Sequence, residues 1–536
     1  MNTAEVLCLR VRRLLLLVVL FAVTWSPSRA PAQDAPSQEK PSNPPTQPQS
    51  PAAKPAPPST PDQEKDEVKI TPRQAEELFH SVDEILEFDS KQTGLPIKRE
   101  VKRKLTSRDE VVSFLTKHLN DEDTQRLRRS ELVLKKFGLL PRDFNLETFL
   151  VSLLREEIAG YYDPKTRTVN LLDWVPIEEQ EPIMAHELTH ALQDQSFGLE
   201  KWMKKGDKDL AKIKRDLTSA DIESDEMNDA REAVIEGQAQ AMTFQYALAP
   251  AGRSIVDSPD LVDAMETDTM TGTDSTKVFN DAPIFMKESL TFPYTYGMEF
   301  VVQLLRKAGK ERAFADVLRD PPHTTRQIMQ PETYLSGERI EPIPVPAFKR
   351  DFKDYDKFDI GAMGEFDVAV LAEQYAGKAM SKHIYPEWRG GYYYAANPKP
   401  NPGANGVLPL GLLYVSRWSS ADAAAEFAGI YAQSLRQRYK IVGELNPAPD
   451  AASAPSEPPL DPPQNSESKN SETKNAETKS SVAKIIPLKG RHAWSTEEGE
   501  VVIEQQGDTV FVSESLDTAT TAALEKEIFS SPSAAK

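Results

Sequence analysis

Cysteine is almost absent from this sequence of 536 residues, in which Cys8 is the single example. Cys8 lies in an N-terminal segment typical of a secretory signal, with three arginines ahead of an apolar stretch over residues 14–24 and a small residue, Ala32, at the expected cleavage point. We expect residues 1–32 to direct the chain to the periplasm or the medium, unless the segment stays uncleaved as a membrane anchor. The mature chain then has no cysteine, which excludes disulfides and thiol catalysis.

Long apolar runs and an excess of basic residues are also missing. No later stretch reaches the about 18 apolar residues that a transmembrane helix requires, so we expect no stable membrane span after signal removal. The net charge is −19, and removal of residues 1–32, which hold four Arg and one Glu, leaves −22. A chain this acidic, without a basic patch interleaved with aromatic residues, is not expected to bind nucleic acid. The sequence does not indicate an oligomeric state.

Proline is abundant, but much of it lies in segments that cannot bury a core. Residues 33–62 contain ten of the 42 prolines, among Ala, Ser, Gln and Thr, and we expect residues 33–68 to be a disordered tether. A second such segment, residues 446–484, is expected to be a disordered insertion. The residues between the two segments are numerous enough to form a sizeable core.

The pattern between these segments is that of an α+β protein in which helices predominate. Apolar spacing predicts helices over residues 71–88, 108–119, 123–137, 146–157, 229–248, 294–308, 421–439 and 518–529. Alternating and β-rich stretches predict a hairpin over residues 158–172 and strands at residues 392–394, 408–418, 500–505 and 509–515. The charged segment 201–229 is expected to be a solvated helical excursion or lid. The hairpin is expected at a sheet edge, where a peptide could add as a further strand.

The most informative motif is His186-Glu187-Leu-Thr-His190, within a helix-compatible run. Two side chains four residues apart lie on one helical face, about 6 Å apart along the axis, so both imidazoles can point at one ion. Glu187 is turned from that face enough to meet a water on the ion without binding it. This is the H-E-x-x-H pattern of zinc hydrolases, and it predicts Zn²⁺ as the cofactor.

A catalytic zinc needs a third protein ligand and one open position. Glu236 is our first candidate, because a carboxylate within an otherwise apolar helical stretch is costly unless it is paired or bound to metal. Gly237 beside it would allow two helices to approach closely. Glu232, one turn earlier, could ligate instead or orient a histidine, and Asp194, one turn after His190, could accept an imidazole N–H or only cap the helix.

These motifs carry a resemblance to a known family. The segment from His186 to Gly198 resembles the active-site helix of thermolysin-like gluzincins, in which two His and a Glu from a following helix hold zinc. Over residues of about 150 to 440, the chain is similar to a group of uncharacterised secreted bacterial proteins that pair H-E-L-T-H-A-L-Q-D-Q with a later E-G-x-A. Their Gly-Tyr-Tyr-Asp-Pro motif matches residues 160–164, and further motifs match residues 321–328 and 331–334. The N-E-x-x-S-D stretch of thermolysin has no counterpart here, which makes Glu236 less secure than the histidines.

The motif and the resemblance together predict a secreted zinc-dependent metallopeptidase acting on peptides or proteins. Glu187 would be the general base, and Tyr294, Tyr296 and His323 are candidates, by type and position, to stabilise the oxyanion. A zincin-like catalytic domain is expected over residues 158–350, after a helical region over residues 69–157. Residues 351–445 and 485–536 would form a small α+β module. The alternative is a non-catalytic envelope or extracellular binding protein that retains a zincin scaffold.

Overall fold

A computed structural model describes residues 70–111, 121–157, 160–175, 177–204, 210–258, 276–399, 409–445 and 485–530. The expected signal peptide, the tether, the insertion at 446–484 and most of the helix predicted at 108–119 lie outside these residues. The described part of the protein is α+β. No helix within it is long and apolar enough to cross a membrane.

Ten helices of seven residues or more are described. They are α1 (Pro72–Thr93), α2 (Asp121–Phe137), α3 (Leu146–Glu157), α4 (Ile177–Phe197), α5 (Ser219–Leu248), α6 (Ile284–Glu311), α7 (Glu365–Ala376), α8 (Lys378–Ile384), α9 (Ala421–Arg438) and α10 (Thr518–Ser530). Shorter helical segments are Leu199–Lys204, Lys277–Asn280, Val317–Arg319, Thr325–Met329, Pro331–Leu335 and Phe348–Asp351, with one π-helical segment at Arg312–Asp316. The predicted start of α1 is confirmed, because the Thr71 hydroxyl accepts a hydrogen bond from the Gln74 N–H and Pro72 is the first helical residue.

A small sheet contains the predicted hairpin. Strands β2 (Gly160–Asp163) and β3 (Thr168–Leu172) pair antiparallel, so the hairpin is confirmed, and β2 is an edge strand of this sheet. Strand β1 (Lys102–Thr106) pairs parallel with β3 on its other side. The sequence predicted only helices in this N-terminal region, because the charged stretch Lys-Arg-Lys-Leu-Thr has none of the apolar alternation that marks a half-buried strand.

A second, fully antiparallel sheet has seven strands in the order β4-β5-β6-β10-β9-β8-β7. Its strands are β4 (Tyr355–Ala362), β5 (Trp388–Pro398), β6 (Gly411–Trp418), β7 (Val442–Leu445), β8 (Gly490–Thr496), β9 (Gly499–Gln506) and β10 (Thr509–Glu514). All of them come from the two stretches expected to form the C-terminal module. Strands β7 and β8, which flank the expected insertion, pair with each other in antiparallel register.

Helix α4 lies between two layers, and this position orients the histidine motif. Its rear face contributes Met184, Leu188 and Leu192 to an apolar core shared with α1 and the three-stranded sheet. Its other face packs against α5, which in turn packs along α6. The two motif histidines therefore face α5, while Met184, Leu188 and Leu192 hold α4 against α1 and the sheet.

Helix α5 begins at Ser219, ten residues before the predicted start, so residues 219–229, predicted as the end of a solvated helical excursion or lid, instead belong to this long helix. Two of the charged residues of this first part are buried rather than solvated, while Glu223 is exposed. Asp221 is 3 % exposed and accepts hydrogen bonds from Thr218 and Arg215, and Glu226 is 5 % exposed and accepts two from Thr325. Their polarity hid the helix from a search for apolar periodicity.

Candidate metal centre

The two motif histidines and Glu236 converge between α4 and α5. Nε2 of His186 lies 3.2 Å from one carboxylate oxygen of Glu236, and Nε2 of His190 lies 3.3 Å from the other. One ligand atom from each residue falls within a common span of 4.8 Å, and all three residues are buried or nearly so. This group could bind a metal ion.

Both imidazole nitrogens lie close to the Glu236 carboxylate. For metal–ligand bonds of about 2.0–2.1 Å, tetrahedral geometry separates neighbouring ligand atoms by about 3.3–3.4 Å. The two nitrogen–oxygen distances, 3.2 and 3.3 Å, are near this value, but each ends on a different oxygen of Glu236, and the three ligand atoms of the group span up to 4.8 Å. The imidazole rings stand nearly perpendicular, with centroids 4.8 Å apart, so both can direct Nε2 to a common point. Two imidazoles and one carboxylate leave a fourth position for water or substrate.

The outer nitrogen of each imidazole has a partner that holds the ring in place. Nδ1 of His190 lies 2.8 Å from the Gln193 side-chain oxygen, and Gln193 in turn donates to the backbone carbonyl of Ile235 on α5. Nδ1 of His186 lies 3.4 Å from the Thr243 hydroxyl. A hydrogen bond at Nδ1 leaves Nε2 as the nitrogen available to a metal. Sequence reasoning missed Gln193 and Thr243.

Asp194 does not orient an imidazole, contrary to one of our two readings of it. Its carboxylate accepts hydrogen bonds from Arg99, from the Tyr162 hydroxyl and from the Leu199 backbone N–H, each at 3.1 Å. The adjacent Gln193 takes the expected role, because it lies three residues after His190 and also faces α5. Asp194 instead ties α4 to the small sheet and to the segment that follows.

Glu187 lies beside the metal group and is 4 % exposed. Burial raises the pKa of its carboxyl, although the neighbouring His186 and His190 act in the opposite direction, and its carboxylate accepts the backbone N–H of Tyr162. The same residue of β2 therefore connects the edge strand to Glu187. A buried carboxyl with a raised pKa beside a group that could bind a metal ion is a candidate to accept a proton.

The electrostatics of the group favour a cation. Although burial alone would lower the pKa of His190, the charge of Glu236 and its hydrogen bond raise that pKa to about 9. Burial would raise the pKa of Glu236, but the charge of His190 and the hydrogen bonds from both imidazoles lower it to about 2. Both shifts have the same cause, a buried carboxylate that needs positive charge beside it, which a proton or a metal ion can supply.

Among the three oxyanion candidates, Tyr294 alone is placed at the centre. Its ring stacks on His186 with centroids 6.1 Å apart, and its hydroxyl is hydrogen-bonded to the Glu236 carboxylate. Burial and the charges of Glu236, Glu232 and Glu187 raise the pKa of Tyr294 well above its usual value, so the hydroxyl keeps its proton. A neutral phenol so placed can donate a hydrogen bond.

A close crossing of α5 and α6 brings Tyr294 to this position. A β-carbon on Gly237 would lie 2.1 Å from the backbone of Gly297, and one on Gly297 would lie 2.2 Å from the carbonyl oxygen of Ala233. Gly237 does permit a close helix approach, as predicted, but its partner is α6 rather than the histidine helix. Tyr294 lies one turn before the crossing on α6, so the two glycines determine its distance from His186.

The other two oxyanion candidates lie elsewhere. The Tyr296 ring packs on Phe292 at 5.4 Å and lines a small cavity with Lys382. His323 lines a separate cavity of about 350 Å³ that none of the three candidate metal ligands borders. Both predictions failed for the same reason, since the direction of a side chain depends on helix and loop packing that residue type does not reveal.

Glu232 is buried one turn before Glu236, but it is not part of the metal-binding group found among the described residues. The structure therefore places Glu236, rather than Glu232, between the histidines. The Glu232 side chain lines a cavity that also includes Tyr294, and its charge acts on the Tyr294 hydroxyl.

Comparison of the chain with protein-family models, with curated proteins and with solved structures finds no match.

Proposed function

We propose that the protein is a zinc-dependent metallopeptidase. The observation that carries this proposal is the convergence of His186, His190 and Glu236 on one point, with the Glu187 carboxylate buried beside it. A group of three that serves only to hold the fold together would not need a further carboxyl next to the open position. A structural zinc site usually closes all four positions, often with cysteine.

Zinc is the ion that suits this donor set best. Two imidazoles and one carboxylate are a ligand set of catalytic zinc, whereas magnesium and calcium prefer six or more oxygens. When bound, zinc lowers the pKa of a water towards 7 and polarises the carbonyl of the scissile bond.

Side chains of the protein transfer the proton, stabilise the oxyanion and orient the metal ligands. Glu187 takes the proton from the attacking water and delivers it to the leaving amine. Tyr294 keeps its single hydroxyl proton, and its O–H turns from the Glu236 carboxylate to donate to the carbonyl oxygen as negative charge develops there. Gln193 and Thr243 hold the two imidazoles in orientation, which keeps both Nε2 atoms directed at one point.

The edge strand β2 gives a peptide substrate a place to align. In the described structure β2 pairs with β3 on one side, and its Tyr162 N–H donates to Glu187. The edge of β2 that does not pair with β3 therefore borders the centre, so a peptide that lies along it in extended conformation passes the Glu187 carboxylate.

The decisive experiment compares Glu187→Gln with the parent protein. We expect stoichiometric zinc in both and chelator-sensitive hydrolysis of a peptide library by the parent. We expect the variant to lose about 100-fold or more of kcat/KM, because a glutamine cannot accept the proton. Glu181→Gln, an exposed carboxylate on the same helix, is the matched control and should stay active.

Two outcomes would end the proposal. A fully active Glu187→Gln protein would remove the general base from the mechanism. Stoichiometric zinc in the parent without hydrolysis of any peptide would favour the alternative of a binding protein on a zincin-like scaffold.

We further propose that the chain acts in the periplasm or outside the cell. The support is the sequence pattern of residues 1–32, which lie outside the described part of the structure. N-terminal sequencing of the exported protein should find a start near residue 33, whereas an intact N-terminus on membrane-associated protein would indicate an anchor.

A further inference from the structure

A series of buried hydrogen bonds leads from His190 away from the metal group. The Gln193 side-chain oxygen lies 2.8 Å from Nδ1 of His190. Nε2 of Gln193 lies 3.0 Å from the Ile235 carbonyl oxygen and 2.8 Å from Oε1 of Gln238. Nε2 of Gln238 in turn lies 2.6 Å from the carbonyl oxygen of Ala313. Both glutamines are fully buried. We call the hydrogen bonds that join Ala313, Gln238, Gln193 and His190 the amide relay.

The far end of the amide relay lies in the π-helical segment Arg312–Asp316. In an α-helix, the N–H of Val317 would donate to the Ala313 carbonyl, four residues earlier. Here it donates to the carbonyl of Arg312, five residues earlier, and not to that of Ala313. The Ala313 carbonyl accepts from the Gln238 side chain instead. Single π-turns are rare and occur often at functional sites, and this one presents a backbone acceptor to a buried glutamine.

The acceptor at the far end determines the orientation of each amide in the relay. A backbone carbonyl can only accept, so Gln238 turns its NH2 group to Ala313 and its oxygen to Gln193. Both N–H groups of Gln193 then have acceptors, which are Gln238 and the Ile235 carbonyl. The oxygen of Gln193 is left for Nδ1 of His190, which therefore carries a proton. Nε2 of His190 is the nitrogen that remains for a metal ion.

We propose that Gln238 is a positioning residue of the metal centre, which acts through Gln193 to keep the His190 proton on Nδ1 and Nε2 directed at the metal. This inference rests on the zinc centre of the proposed function and adds a residue outside the group of ligands. An amide turned by 180° would present the Gln193 NH2 group to Nδ1 and leave the imidazole proton on Nε2, where it blocks the metal. Gln238 opposes this turn. The Ile235 carbonyl opposes it as well, so we expect loss of Gln238 to weaken the centre less than loss of Gln193.

The test measures zinc affinity by competition with a chelator, which requires no turnover. Gln238→Met keeps the length of the side chain and removes both of its hydrogen bonds, and we expect zinc affinity to be about 5-fold weaker. Gln238→Glu should stay within about 2-fold of the parent, because a buried carboxylic acid can donate its O–H to Ala313 and accept from Gln193. Gln180→Met is the matched control. Gln180 is equally buried on α4 and donates to two backbone carbonyls, so its loss should lower stability and leave zinc affinity unchanged.

A double-mutant cycle separates action through Gln193 from a general effect on the fold. In the Gln193→Leu background the amide relay is already broken, so Gln238→Met should weaken zinc binding further by less than about 2-fold. A residue that only stabilises the packing would lower zinc affinity by the same factor in both backgrounds. Equal factors in the two backgrounds, undiminished affinity in Gln238→Met, or an equal loss in Gln238→Glu would each overturn the inference.

A measurement on the parent protein decides the inference if the variants do not fold. The chain has seven histidines, which can be labelled with ¹⁵N and observed by NMR in the zinc-loaded protein. We expect a proton on Nδ1 of His190 that exchanges slowly with solvent, because the buried Gln193 oxygen accepts it. A rapidly exchanging Nδ1 proton, or zinc bound at Nδ1 with the proton on Nε2, would overturn the inference.

Failure of the inference can be distinguished from failure of the proposed function. Zinc binding without hydrolysis of any peptide would end the peptidase proposal, and the zinc affinities of the variants would still decide the role of Gln238. An active parent with equal affinity factors in the two backgrounds would overturn the inference alone. A parent that binds no zinc would overturn both.

Discussion

The crossing of α5 and α6 at Gly237 offers a test of how the fold positions the metal centre. In Gly237→Ala the new β-carbon would lie 2.1 Å from the carbonyl carbon and oxygen of Gly297 and 2.7 Å from the backbone nitrogen of Met298. Atoms in van der Waals contact stand about 3.5–4.0 Å apart, so the two helices must separate by about 1 Å or more. Both contacting elements are backbone and cannot yield by changing a rotamer.

The expected cost follows from two opposing effects. Overpacking a tight interior destabilises by about 1–3 kcal/mol, and a contact with backbone belongs at the upper end. Replacing Gly by Ala inside a helix stabilises the folded state by about 1 kcal/mol, because Ala has the higher helix propensity. The net loss in the free energy of unfolding should be about 2 kcal/mol. Because Glu236 adjoins Gly237 and Tyr294 lies one turn before Gly297, a shift of about 1 Å should also lower kcat/KM by about 100-fold.

The assay combines denaturant unfolding, zinc affinity from competition with a chelator, and peptide hydrolysis. Gly443→Ala is the matched control, since a β-carbon there meets no atom within 4 Å, and it should leave all three quantities unchanged. Gly297→Ala should resemble Gly237→Ala, because its β-carbon would lie 2.2 Å from the Ala233 carbonyl oxygen. If Gly237→Ala were as stable and as active as the parent, the helix crossing would not determine the geometry of the centre.

Two further predictions concern the surroundings of the centre. Gln193→Leu removes the acceptor 2.8 Å from Nδ1 of His190, and chelator competition should show zinc affinity about 10–100-fold weaker. Glu226→Gln should remove a pH dependence of stability. Folding raises the pKa of Glu226 from 4.5 to about 8, so as the pH rises the unfolded chain loses this proton before the folded protein does. Between these two values the parent should lose about 1.4 kcal/mol of unfolding free energy per pH unit relative to the variant, as denaturant titrations would show.

The controls for these two predictions are substitutions of the same type elsewhere. Gln374→Leu removes a side chain that donates to a backbone carbonyl far from the centre, and it should leave zinc affinity unchanged. Glu147→Gln makes the same change at a carboxyl whose side chain is 47 % exposed, and the stability of Glu226→Gln is compared with that of this variant at each pH. Undiminished zinc affinity in Gln193→Leu, or a stability difference for Glu226→Gln that does not change with pH, would contradict the respective assignment.

Several features could be predicted because they depend on neighbours in the chain. His186 and His190 share a face by helix geometry alone, and Glu236 stood out because an isolated carboxylate in an apolar helix needs a partner. The hairpin at residues 160–172 was also readable, since its two strands are joined by a short turn. Strand β1 was missed because it pairs with β3, more than 60 residues later, and its charged side chains do not alternate with apolar ones.

The sequence by itself determined which chemical groups are available and how the two histidines are spaced, because covalent connection and helical pitch set both. Only the tertiary structure decided that Gln193 rather than Asp194 holds His190, and that Tyr294 rather than Tyr296 or His323 reaches the centre. Adjacent residues on a helix point about 100° apart, so the packing partner of each face selects among them. The close crossing at Gly237 and Gly297 turns the Tyr294 face of α6 towards the centre. The contact between α4 and α5 does the same for the Gln193 face of α4.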